Sequence, residues 1–175
     1  MNLELSVRSL TAAEWELYRA VRLRALADAP DAFGSTLEEE AVLPAAHWEA
    51  RLVAAAGADD LARSLPLVAR LAGESVGLAW GRIEESAPEA AHLYQMWVAP
   101  EARGAGVGRR LLQAVVDWAI ASNARSLSLC VTRGDTPATR LYRAAGFEPV
   151  GAEEPLRPGS ELLAQSMTLC FEKQA

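Results

Sequence analysis

Between Pro100 and Ile120 the chain reads PEARGAGVGRRLLQAVVDWAI, and this stretch limits the available folds more than any other. Gly104, Gly106 and Gly108 fall just ahead of a run in which Val107, Leu111, Leu112, Val115, Val116, Ala119 and Ile120 share one helical face. Glycine loses the most conformational freedom on ordering and weakens a helix start. Upstream, AHLYQMWVAP is a strand stopped by Pro100. The whole is a strand–turn–helix unit whose turn lets something approach closely. Successive N–H groups at such a turn, with the orphan donors of the helix's first turn, make an anion pocket. Arg103, Arg109 and Arg110 add charge beside it. A pyrophosphate fits this description. The competing explanation is that the glycines only ease helix–sheet packing.

The remaining segments supply the frame. LELSVRSL, from Leu3, alternates as a first strand. Thr11 and Glu14 in TAAE form a capping box for a helix whose Leu17, Tyr18, Val21 and Ala25 share a face. DAPDAFGST breaks that helix with Pro30 and Gly34, and a second helix runs from about Leu37 to Ala56 with Pro44 as an interruption. PLVARLAGESVGLAWGRIEE is a hairpin turning at AGES, its second strand reaching Glu84. Ser126–Thr132 is a short apolar strand, TPATRLYRAAGF a helix with Pro137 in its first turn and Gly146 after its end, and AQSMTLCF a last strand. The order β-α-α-β-β-β-α-β-α-β-β predicts an α/β protein, with one mixed sheet and helices on both faces. A length of 175 residues suits one domain over 1–175.

Absences narrow the chemistry. The formal net charge of -6 argues against a nucleic-acid partner, which needs clustered basic residues. No apolar run is long enough to span a membrane, and MNLELSVRSLTAAEWE lacks the pattern of a signal peptide, so the expectation is a cytoplasmic protein with no membrane partner. Lys173 is the one lysine, which excludes a Walker A loop and an internal Schiff base. His47 and His92 form no metal-binding pattern, and no metal is expected. The dinucleotide fingerprint fails by register, because Arg109 stands at its last glycine. Cys130 and Cys170 have no C-x-x-C spacing and are expected to be buried, reduced thiols.

Two motifs together carry a resemblance. Arg103-x-x-Gly106-x-Gly108 after LYQMWVAP resembles the acyl-CoA pyrophosphate motif, Q/R-x-x-G-x-G/A, of the GNAT superfamily of N-acetyltransferases, the acyl-CoA N-acyltransferase fold. DTPATRLYRAAGF resembles that family's N-x-x-A-x-x-x-Y-x-x-x-G-F signature, with Ala138, Tyr142, Gly146 and Phe147 in place and Asp135 where Asn is usual. The resemblance implies a central, mostly antiparallel sheet with one splayed parallel strand pair. It implies direct transfer of the acetyl group of acetyl-CoA to an amine of a small molecule, peptide or protein.

Carried over residue by residue, it assigns Met96, Trp97 and Val98 to the strand that pairs with the pantetheine arm through a bulge. The loop Arg103, Gly104, Ala105, Gly106, Val107, Gly108 and Arg109, with Asp135 and Ala138, is assigned to the rest of CoA. Tyr142 is assigned as the acid for the leaving thiolate. Ionised Asp only accepts hydrogen bonds where Asn also donates, so a CoA contact is in question, and Asp135 or Thr136 is suited to capping the next helix. Glu84, Glu85, His92 and Tyr94 are candidate bases, directly or through water. Phe33, Trp80 and Trp97 are candidate walls of an acceptor pocket between the early helices and the loop GAEEPLRPGSE. Two other readings stay open: an acyl-CoA-binding protein of this fold with impaired catalysis, and a phosphate- or nucleotide-binding module of another class. A homodimer is compatible with each.

Overall fold

In a computed structural model, residues 4–56 and 63–171 are described. Strand β1 (Leu5–Ser9) leads through a 3₁₀ turn into α1 (Trp15–Asp28), followed by α2 (Leu37–Ala41) and α3 (Ala45–Ala56). Strands β2 (Ser64–Leu71), β3 (Glu74–Ile83) and β4 (Ala90–Val98) precede α4 (Val107–Ala121). Strand β5 (Ser126–Thr132), α5 (Pro137–Ala144), β6 (Glu148–Pro155) and β7 (Leu163–Cys170) complete the chain.

The Thr11 backbone N–H donates to Glu14 Oε2 at 2.8 Å, closing the expected capping box. The expected second helix is two, α2 and α3, because Pro44 lacks the N–H that would continue the ladder. Ala72 and Gly73, at φ +52° and +88°, make the tight turn joining β2 to β3. Leu3, where the first strand was expected to start, lies outside the described residues.

The seven strands form one sheet in the order β1-β2-β3-β4-β5-β7-β6. Every neighbouring pair is antiparallel except β4 and β5. Helix α4 lies on one face, where Gly77 and Gly81 of β3 leave room for Leu111, Val115 and Trp118. On the other face α1 packs on β3 and β4 and α3 on β2. There Tyr18 meets Trp48 and Trp80 edge-on, with ring centroids 5.5 and 5.2 Å apart. Helices therefore cover both faces, as the element order requires.

Three expectations are corrected. Cys130 and Cys170 are exposed. They sit on β5 and β7 on the face that carries Ser128, Ser166 and Thr168, whereas Leu127, Leu129 and Met167 of the opposite face are buried. Ile120, in the last turn of α4, is 45% exposed, although it was placed on the apolar face, while its neighbour Ala119 is buried. The stretch GAEEPLRPGSE is not all loop, since its first five residues belong to the edge strand β6. Among the described residues no helix is long and apolar enough to cross a membrane.

Candidate active site

The site begins where β4 and β5 part. Their parallel pairing ends at His92 and Ser128, although β4 continues to Val98 and β5 to Thr132. On its other edge β4 stays paired with β3, but Leu78 matches Trp97 while Trp80 matches Tyr94. Two steps along β3 thus correspond to three along β4. The extra residue lies at Gln95, whose φ of +55° turns the strand. Past this bulge the Ala99 N–H bonds the Val76 carbonyl of the β3 side at 2.8 Å. Peptide groups alternate along a strand, so those of Val98 and Met96 face the gap and those of Trp97 face β3. Trp97 contributes its side chain, the indole Nε1–H donating to Asp28 Oδ2 at 2.8 Å.

The glycine turn lies at the end of this gap. Gly104 and Gly106 have φ of +79° and +81°, and a Cβ at either would meet nothing within 4 Å. Backbone conformation, not crowding by the protein, requires glycine at these two positions. Gly108 differs, since a Cβ there would lie 3.3 Å from Leu141 of α5. Packing against α5 and β4 thus bears on Gly108, and backbone conformation on Gly104 and Gly106. The N–H groups of Gly106, Val107, Gly108 and Arg109 have no backbone acceptor among the described residues, as expected at the start of α4.

Arg103 was expected to charge this pocket, yet its guanidinium is tied to the protein. Its Nη2 pairs with Asp28 and its Nε donates to the Val98 carbonyl at 3.1 Å. It thus fastens the turn to the end of α1 and to the edge of β4. Asp28 was not singled out in the sequence, where it appears as one acid in a helix-ending segment. Arg109 has no carboxylate partner among the described residues and keeps its charge for the turn.

Met96, Trp97, Val98, Arg103, Gly104, Gly106, Val107, Gly108, Arg109, Ala138 and Tyr142 line one cavity of about 2190 Å³. Ala105 and Asp135 are not on its wall. The Asp135 side chain is 74% exposed and reaches toward Arg140 at 3.7 Å. Thr136 is the cap of α5, its Oγ1 accepting from the Thr139 N–H at 3.1 Å. Tyr142 is 5% exposed, with its ring 5.8 Å from that of Phe147. Burial pushes its phenol well above the ordinary range, so the hydroxyl keeps its proton.

The same cavity extends over the face under α1–α3, where Phe33, Trp80, Glu84, Glu85, His92 and Tyr94 line it. The Trp80 indole donates to Ser64 Oγ at 2.8 Å. Glu84 pairs with Arg82 at 3.0 Å and Glu85 with Arg63 at 3.6 Å. Burial first, then the Glu84 charge, pushes the Tyr94 phenol up. Beside them lies a polar group that sequence reasoning missed, Arg22, Glu40, Arg51 and Gln95. One signal was present: Arg22 falls inside the apolar stripe of α1, between Val21 and Ala25, where a surface arginine does not belong.

The profile of the acetyltransferase (GNAT) family matches residues 15–147. Over 78 residues the chain is 32% identical to the mycothiol acetyltransferase of Pseudarthrobacter chlorophenolicus. That match takes in 43% of this chain but only 24% of the relative's length. Among solved structures, a GNAT-family acetyltransferase from Streptococcus pneumoniae superposes with a TM-score of 0.79 at 22% identity, covering 96% of this chain and 100% of its own. The yncA protein of Salmonella typhimurium, solved with its cofactor acetyl-CoA, superposes with a TM-score of 0.76 at 19% identity, covering 98% and 96%. At these identities the structures establish the fold.

Proposed function

Because the chain belongs to the acetyltransferase (GNAT) family, we propose that it moves the acetyl group of acetyl-CoA directly onto an amine. The domain that does so covers residues 1–175. One observation carries this conclusion. A single cavity joins a turn of unpaired N–H groups, the freed edge of β4 and a buried, protonated tyrosine. The residues present fit acetyl-CoA, because the turn offers donors and positive-φ glycines with open space, and the gap offers a strand edge.

When bound, acetyl-CoA supplies an acetyl group activated as a thioester. Gly106, Val107, Gly108 and Arg109 would hold the pyrophosphate through their N–H groups and the Arg109 charge. Gly104 gives the turn its shape, and Arg103 fastens it. The gap-facing peptide groups of Met96 and the N–H of Val98 would pair with the pantetheine arm, the Val98 carbonyl being held by Arg103, and an N–H there would stabilise negative charge developing on the thioester oxygen. Ala138 and α5 bring the Tyr142 hydroxyl to the leaving sulfur, which needs a proton as its bond to carbon breaks. Glu84, Glu85, His92 and Tyr94 stand on the acceptor side for the proton that leaves the amine.

Tyr142→Phe tests the assignment. The ring and its packing on Phe147 persist, so melting temperature and acetyl-CoA affinity should barely change. Turnover of an accepted amine should drop by about 10²-fold or more, the loss expected for one general acid. Thiol release read alongside calorimetry separates the two. A variant that releases thiol at the parent rate, with chemistry limiting, makes Tyr142 a packing residue.

A further inference from the structure

On the acceptor side of the cavity, charge is distributed unevenly. Asp28 is matched by Arg103, Glu84 by Arg82 and Glu85 by Arg63, while exposed Asp31 on the same wall has no ion-pair partner among the described residues. Glu40 is shared between two guanidinium groups, those of Arg22 at 2.7 Å and Arg51 at 3.1 Å. Burial alone would raise the Glu40 carboxyl, but hydrogen bonds from Arg22, Ser35 and Arg51 bring it down to about 2. Tyr18 beside it stays neutral, its phenol raised chiefly by burial. The cluster thus holds two positive charges and one negative, inside a protein whose formal net charge is -6.

Its donors also outnumber its acceptors. Arg22 is 4% exposed, and its Nη1 has no acceptor among the described residues. The Arg51 side chain is 29% exposed and lies over Trp48, with Cζ 5.0 Å from the ring centroid. Among the described residues its Nη1 alone is engaged, by Glu40 at 3.1 Å and by Tyr18 Oη at 3.4 Å. Half-buried positive charge in excess of its partners is costly unless an anion complements it. Tyr18 links this group to the reacting end, because its hydroxyl donates at 2.9 Å to Gln95 Oε1, the residue that bulges β4.

We propose that Arg51, backed by Arg22, is a carboxylate subsite of the acceptor pocket, and that the acceptor is an anionic amine of the amino-acid class. This rests on the acetyltransferase assignment above. The free edge of Arg51 can take both oxygens of a carboxylate. The local excess of positive charge at Arg22 and Arg51 disfavours a second cationic group of the acceptor there. It also disfavours the ammonium form of an amine held nearby, which helps the acceptor enter as a nucleophile.

Product binding tests this without turnover. The full chain, saturated with CoA, is titrated by calorimetry with N-acetyl-amino acids and with the matching N-acetyl-amino acid carboxamides. At least one acid should bind about tenfold or more tighter than its carboxamide, the difference expected for a charge-assisted hydrogen bond. Arg51→Gln should remove that advantage and leave carboxamide affinity unchanged, and Arg51→Lys should restore part of it. Equal affinity for acids and carboxamides overturns the subsite, as does no binding of either to CoA-loaded protein. Wild type that fails to bind CoA overturns the acetyltransferase assignment itself, and the subsite with it.

Discussion

Asp135 occupies the position where the family motif carries Asn, and the side chain's placement decides what that exchange does. It is 74% exposed, loosely paired with Arg140 and off the cavity wall, while Thr136 caps the helix. An exposed pair of this kind contributes little. Asp135→Asn should therefore leave CoA affinity within about threefold and the melting temperature unchanged. Calorimetry that finds much tighter binding would place this side chain on the CoA arm. Tyr142, by contrast, is buried, and the same motif carries it into the cavity. Arg103 keeps its motif position but spends its hydrogen bonds on Asp28 and the Val98 carbonyl. Neither tie could be read from the spacing, because their partners lie on α1 and at the end of β4.

At the scale of elements, α4 is seated on β3 at two glycines, Gly77 and Gly81. A Cβ at Gly81 would lie 2.7 Å from Trp118 Cζ3 and 2.9 Å from Cε3. An indole is rigid, so the helix must shift or the side chain must leave its rotamer. Gly81→Ala should cost about 1–3 kcal/mol, as other overpacked cores do. Thermal melting followed by circular dichroism reads this, and an unchanged midpoint would mean that α4 is free to slide. The strand–turn–helix unit itself was legible, as were the bounds of β5 and the break at Pro44. Edge strand β6 was expected only as a place in the element order, without residues: all its residues are exposed, so the two-residue burial rhythm that would have bounded it is missing.

For the whole molecule, Glu40 ties α2 to α1 through Arg22 and to α3 through Arg51. Its carboxyl, 4% exposed, falls from an ordinary 4.5 to about 2 on folding. A folded value below the unfolded one stabilises the native state fully above about pH 4.5, and the benefit disappears as pH falls through about 2. Its size is about 3 kcal/mol. Glu40→Gln should be less stable than wild type by about 3–5 kcal/mol at neutral pH, since it leaves both arginines short of a partner. Urea unfolding at a series of pH values should find the gap closing below about pH 4.5. Other carboxylates, Glu14 with Arg8 among them, are common to both proteins and cancel. A gap that stays constant down to pH 2 would remove Glu40 from this role.

By itself the sequence determined what depends on neighbours along the chain. Helix faces, caps, proline breaks and the two motifs all arise within a few turns of backbone, so local sterics and hydrogen bonding write them into residue order. Even the glycine turn is local, because φ of +79° at Gly104 and +81° at Gly106 is a property of those residues. Tertiary structure alone decided which strand edge stands open, which thiols face outward and which charges meet. Cys130 and Cys170 looked buried because their strands are apolar, but burial depends on which face a helix covers. Arg22, Glu40, Arg51 and Gln95 come from four separate elements, and no spacing joins them. Their electrostatics depend on distance through space, which packing sets.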